Sequence, residues 1–354
     1  MKTTTITLKT LTLATASATF TLASPPSAIA LDWHANPGQT QIDAPLLDPQ
    51  GDVYDNIFIG AAWVGGSAVD IVSGGVIEFT NSVSIGTDGY GDVAVYDGGI
   101  LFSNNQSGLN TQNIQVGSGY GGQLRVFEGG YIESAGLTVG TSRAGGEVTV
   151  EGFNARLSAA TVRVDYGRLS VSDQGAVSVD TEMAIADFSE VEVFNQGLIQ
   201  VTRLMMNIDS SLSVGIGGLM VVNGYFEVTE GAKFTIGLST NVSDSGRIQL
   251  NQAGSVQIFG PASLAVHADG EFAAGEHILI LEGLQVRGLW GYDPIVADTG
   301  QVFDIAYDKV GIGPLATYET YLVARAIPEP STYALIGGLG AVALAMGARW
   351  RRRR

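Results

Sequence analysis

The chain has 354 residues, 48 glycines, no cysteine and a formal net charge of −17. Without cysteine there are no thiol nucleophiles, no cysteine metal sites and no disulfides, and the acidity excludes nucleic acid as a partner. Glycine at about twice average usage, beside plentiful valine, isoleucine and leucine, excludes general disorder and points to many short strands broken by turns.

Residues 1–30 read as a secretory signal peptide. Lys2 and Lys9 lie in an acid-free start, Leu11 to Ala23 is moderately apolar, and Ala28-Ile29-Ala30 fits the small-x-small cleavage pattern. Leu31 is then the expected mature start, and the Sec translocon and signal peptidase are the expected partners. Seven of the 18 basic residues, and none of the 35 acidic ones, lie in 1–30 and 349–354. Residues 31–330 therefore hold 11 basic against 35 acidic groups, a charge of −24. Such a surface suits solubility outside the cell and repels anionic headgroups. It also suits Ca2+, although the acids are scattered and no metal-ligating set stands out.

Residues 31–50, with Pro37, Pro45 and Pro49, read as an entry segment or N-terminal cap. From 51 to 265 one pattern recurs: an apolar–Gly pair, a glycine-rich turn, then an alternating strand. The pairs are Ile59-Gly60, Ile85-Gly86, Val116-Gly117 and Val139-Gly140; the strands begin at Asp92, Gln123 and Glu147. Each strand alternates polar and apolar, the two-residue period of a half-buried strand. A third short strand follows at Ile100–Ser103, Tyr131–Ser134 and Ala155–Ser158. The register continues through Val164 and Ile185, with spacings between 21 and 31 residues. Three short strands per period of this length predict one rung of a right-handed parallel β-helix, a β-solenoid. The longest spacing, from 85 to 116, predicts a protruding loop around Asn104 to Thr111. An antiparallel sandwich or propeller would give similar alternation, but here whole rungs repeat with their order kept. These apolar–Val–Gly rungs resemble the β-solenoid passengers of autotransporter-like surface proteins, a resemblance that implies fold rather than function. From 266 to 326 the strands lengthen and aromatics multiply, which predicts a capping β-segment that protects the last rung's edge.

Asp97, Glu128 and Glu151 fall at similar points along the rungs and could form an acidic ladder, or simply flank turns. Arg125, Arg143, Arg156, Arg163 and Arg168 crowd the middle rungs, where they could meet an acidic polysaccharide or pair with the surplus acids. Tyr90 and Tyr120, in DGYGD and SGYGG, occupy equivalent turn positions where stacked rings could hold sugars, or merely decorate the turns. Tyr90, Tyr120, Arg125 and Arg143 are thus the candidate carbohydrate contacts. His34, His267 and His277 are scattered without metal-ligand spacing, and no nucleophile elbow or phosphate loop is found. No catalytic residue is assigned.

The chain ends IPEPSTYALIGGLGAVALAMGARWRRRR, from Ile327 to Arg354. The uncharged run from Tyr333 to Ala348 would cover roughly 24 Å as a helix, short for a bilayer core of about 30 Å. Snorkelling arginines and local thinning meet the deficit. Arg349, Arg351, Arg352, Arg353 and Arg354 form a cytoplasmic stop by the positive-inside rule, with Trp350 at the interface. The order Pro328-Glu329-Pro330, apolar run, terminal arginines resembles the PEP-CTERM sorting signal. That resemblance implies cleavage near Pro328–Pro330 by an exosortase-type transpeptidase, with the body first periplasmic and then at the surface or outside the cell. The resulting expectation is an exported structural or adhesive protein of biofilm or exopolysaccharide matrix. The alternative is a polysaccharide-binding protein, lyase or hydrolase on the same fold.

Overall fold

The computed structural model describes residues 4–9, 15–20 and most of 32–325; the segments 36–37, 43–44, 47–53, 61–65, 104–112, 142–143, 252–254, 259–262, 284, 288–294, 311–316 and 326–354 are outside the description. Apart from a 3-10 turn at Val242–Asp244, every described element is a strand. Thr4–Lys9 and Thr15–Phe20 pair as an antiparallel hairpin of their own.

The body is a parallel β-solenoid. Its first sheet has ten strands, beginning with Gly38–Ile42 and ending with Ser263–Ala268. Alternation makes each of them: Gly122–Val126 buries Gly122, Leu124 and Val126 and turns Gln123 and Arg125 outward. Neighbouring strands pair without slippage. Val69, Val93, Leu124, Val148, Leu169, Val191, Leu212 and Phe234 therefore form one column. Each is at most 1% exposed. Burial of such a side chain contributes about 1.5–3 kcal/mol. A one-residue slip would turn a whole strand's apolar set to water, so the pattern itself fixes the register.

The second sheet differs from the three-strand expectation. The third strand of one rung runs on into the apolar–Gly strand of the next as one bent strand, as in Tyr131–Val139, Arg156–Asp165, Ala176–Ala186, Leu198–Met206 and Leu219–Val228. The bend shows as a break in alternation. Arg156–Asp165 buries Leu157 and Ala159, then Val162 and Val164, with Ala160 and Thr161 both turned out. Threonine hydroxyls bridge the rungs at these bends: Thr181 donates to the Ala160 carbonyl at 2.5 Å and Thr202 to the Asp180 carbonyl at 2.6 Å. Only Ile100–Ser103 and Asn113–Val116 stay separate in the middle of the body. They pair with Val76–Phe79 and Ser82–Ile85, so the extra length of the longest rung lies at 104–112, where the expected loop is outside the described residues.

Corners use the left-handed region. Gly140 has φ +78°, and a Cβ there would stand 2.0 Å from the Asp165 carbonyl oxygen of the next rung.

The N-terminal segment does more than enter. Asp32–His34, Gly38–Ile42 and Pro45–Leu46 pair in parallel with Tyr54–Ile59, Ser67–Ile71 and Val76–Ile85, with Trp33, Ile42 and Leu46 buried. At the other end Val266–Ala268 still belong to the parallel first sheet. His277–Gly283 then pairs in parallel with Arg247–Leu250 and antiparallel with Thr317–Ala324, which in turn pairs antiparallel with Val302–Val310. Phe272 and Phe303 meet edge-on at 5.8 Å in this last part. Among the described residues no helix is long and apolar enough to cross a membrane. The transmembrane helix expected at 333–348 lies outside the described residues, as do Pro328, Glu329, Pro330 and the five terminal arginines.

Candidate functional site

The outward face of the first sheet is an ionic strip. Arg125 makes a forked pair with Asp92 one rung back. Gln123 donates to Glu147 at 2.7 Å. Arg168 lies 3.7 Å from Glu190 and also binds Glu192. The Glu192 hydrogen bond raises the pKa of Arg168. Partial burial, then the Glu192 charge, raises that of Glu190. Elsewhere Arg163 pairs with Asp165 and Arg203 with Glu182. Of the arginines considered from sequence, Arg125, Arg163 and Arg168 are thus engaged by the chain's own acids; Arg143 is outside the described residues.

Exposed aromatics flank the strip on both sides. At the corner entering the sheet, Tyr90 and Tyr120 are both about half exposed. They are not equivalent, which corrects the sequence reading. Gly91 pairs with Gly122, so Tyr90 faces Gly121, and Tyr120 falls one position earlier. A Cβ on Gly121 would lie 3.4 Å from the Tyr90 ring. The Tyr90 hydroxyl titrates above its usual range through burial, then the charge of Asp92. The pair Tyr166 and Phe188 continues this corner, with ring centroids 5.9 Å apart.

At the corner leaving the sheet, the described residues form an open groove of 620 Å³. It is lined by Tyr96, Asp97, Gly98, Phe127, Glu128, Gly129, Phe153 and Asn154. Each lining stretch is the turn that ends a first-sheet strand. The groove floor is cross-linked through backbone. Phe127 donates to the Val95 carbonyl at 2.8 Å, Asp97 to that of Glu128 at 2.8 Å, and Gly129 to that of Phe153 at 3.0 Å. The Tyr96 and Phe127 rings lie 6.4 Å apart at 56°. Partial burial and a hydrogen bond with Asp70 raise the Tyr96 pKa. The Arg125 guanidinium stands 5.7 Å from the Phe127 ring centroid.

The expected acidic ladder is only partly present. Asp97 and Glu128 are neighbours at this corner, but Glu151 pairs with Ser172 and follows Val150, which pairs with Val126. Glu151 therefore sits in the row of Phe127, not of Glu128. Sequence reasoning missed Tyr96, Phe127 and Phe153. For Tyr96 and Phe127 the signal was available: in VYDGG and VFEGG an aromatic directly follows the last buried valine of the strand.

The histidines are dispersed. His34 stacks on Phe58 at 4.7 Å, His267 binds Asp298, and His277 meets Tyr321 edge-on. The Ala268 amide, donating to Asp298 at 2.9 Å, is the main cause holding that carboxyl below its usual range. Among the described residues no group of three or more His, Asp or Glu side chains converges to hold a metal ion.

Residues 326–354 match the PEP-CTERM protein-sorting motif. The motif marks an exported protein targeted to an exosortase. No curated protein matches the chain, so the autotransporter-like description of the body rests on its rungs alone.

Proposed function

We propose that the chain is a structural or adhesive component of the cell surface or of an exopolysaccharide matrix, and not an enzyme. The observation that carries this reading is the joining of a sorting motif at 326–354 to an in-register parallel solenoid. A rod built from repeated rungs spans distance with little sequence information. The ion pairs of its outward strip support the same reading, since they tie one rung to the next instead of converging on a reacting centre.

In this reading the Sec translocon exports the chain and signal peptidase removes 1–30. The run 333–348 holds it at the inner membrane with Arg349 and Arg351 to Arg354 inside. The exosortase then cuts near Pro328-Glu329-Pro330, and the rod works at the surface or beyond it. Thr317–Ala324, laid antiparallel on His277–Gly283, and Val302–Val310 paired to it in turn, act as a cap on this sheet's last rung. Deleting the gene tests the role. The reading predicts weaker surface attachment or an altered matrix composition; both unchanged would overturn it.

A further inference from the structure

We propose that the corner groove formed by Tyr96, Phe127 and Phe153 is a binding site for an uncharged glycan, whose sugar rings stack on the three aromatics while Asp97 and Glu128 accept hydrogen bonds from its hydroxyls. The site goes beyond a structural role and stands or falls separately from it.

The aromatics carry the argument. They come from the turns of three successive rungs: Tyr96 and Phe127 share one row with ring centroids 6.4 Å apart, and Phe153 stands two residues past that row on the next rung. Phe153 is 60% exposed, and what marks it is its grouping with two other aromatics in one groove. Phe127 and Tyr96 are part-exposed beside it in one groove. The apolar face of a pyranose, with its C–H groups directed at a ring, suits such a platform.

The platform is built before any ligand arrives. Tyr96 is tied through its hydrogen bond with Asp70. Phe127 lies under Arg125, which is itself forked onto Asp92. Backbone bonds between rungs hold the turns that carry Asp97, Glu128 and Phe153. Rings held in this way lose little freedom on binding.

Charge selects the ligand. Among the described residues the lining holds two carboxylates and no cationic side chain, and the guanidinium beside it, that of Arg125 over Phe127, is paired with Asp92. An anionic polysaccharide would be repelled, while neutral hydroxyls donate readily to carboxylate oxygens. This reverses the expectation that Arg125 meets an acidic polysaccharide, since its guanidinium is spent on Asp92 and Phe127.

Detergent-solubilised full chain should be titrated calorimetrically with neutral oligosaccharides (β-1,4- and β-1,3-glucans, mannan and galactan fragments), with oligogalacturonate and with chitosan oligomers. At least one neutral glycan should bind, and oligogalacturonate should not. Phe153→Ala should weaken that binding roughly tenfold, as loss of an aromatic anchor does. Phe153→Trp should retain it, and Phe153→Ala should leave thermal unfolding unchanged, because the ring is on the surface. Phe127→Ala is the second variant and should act in the same direction. The proposal is overturned if no neutral glycan binds, or if binding ignores both Phe153→Ala and Phe127→Ala. It is equally overturned if only chitosan binds and Glu128→Gln alone abolishes it.

Discussion

The side-chain amide of Gln301 pairs with the backbone of Phe272 as a neighbouring strand would. The Phe272 amide donates to Gln301 Oε1 at 2.9 Å, and Gln301 Nε2 donates to the Phe272 carbonyl at 2.8 Å. Gln301 is fully buried. Gln301→Ala removes both bonds and leaves two buried backbone groups without partners, a loss of about 2–4 kcal/mol. Denaturant unfolding and the exchange rate of the Phe272 amide read it; unchanged protection of that amide would count against the bond.

Leu124 and Arg125 are adjacent in sequence and opposite in consequence. Leu124→Ala opens a cavity in a continuous column and should cost about 2–5 kcal/mol. Arg125→Ala removes a part-exposed ion pair and should cost about 1 kcal/mol or less. Paired melts of the two variants check the contrast.

Two glycines with similar φ should respond differently to alanine. Gly140→Ala places a Cβ 2.0 Å from a carbonyl of the next rung, so it demands backbone movement in addition to the strained φ of +78°. Gly98 has φ +82° and open space around it, so Gly98→Ala should cost only the conformational penalty of about 1–2 kcal/mol. Soluble yield and melting temperature should fall far more for Gly140→Ala.

Two tyrosines are pushed up to about 12: Tyr131 by burial and then its 2.7 Å bond to Glu133, and Tyr321 by its bond to Glu319 and then burial. A raised folded pKa stabilises fully below the unfolded value near 10. That contribution is lost as pH rises through 12. Stability should therefore decline between about pH 10 and 12, and Tyr131→Phe should reduce the latest part of the phenolate absorbance titration, leaving the share of Tyr321. Glu190 is also raised, so its charged form opposes folding at neutral pH. Glu190→Gln should gain a few tenths of a kcal/mol at pH 7 for so exposed a group, and nothing below about pH 4.

Processing has a direct readout. Intact mass spectrometry of the protein from its own cells should show a mature chain ending near Pro330. Retention of Arg354 would contradict exosortase cleavage.

The solenoid was legible because its strands obey a two-residue period, and because the strands beginning at Asp92, Gln123 and Glu147 lie on one face in unbroken register. What escaped was set by single-residue shifts. The merger of one rung's third strand with the next rung's apolar–Gly strand depends on outward pairs such as Ala160 and Thr161, which alternation alone reads as a strand end. Tyr90 and Tyr120 look alike in DGYGD and SGYGG, but an additional glycine follows Tyr120 before the strand resumes. Glu151 misses the acidic row for the same reason, since its turn is ordered differently from those at Asp97 and Glu128. The first rung escaped because its strands are short and interrupted by prolines. Their pairing with 54–85 is visible only in three dimensions. The groove escaped because its aromatics are distant in sequence and meet only where successive rungs stack.

Rung-to-rung pairing has a mechanical meaning. The hydrogen bonds that join Val126 to Val150, or Val139 to Val164, run along the long axis. A pull on the two ends therefore loads the rungs in series, with no single shear interface to break at once. Each rung peels separately and releases roughly 80 Å of chain for about 24 residues. Such a filament yields stepwise under tension and dissipates work at every step, so it behaves as a tether that lengthens under strain.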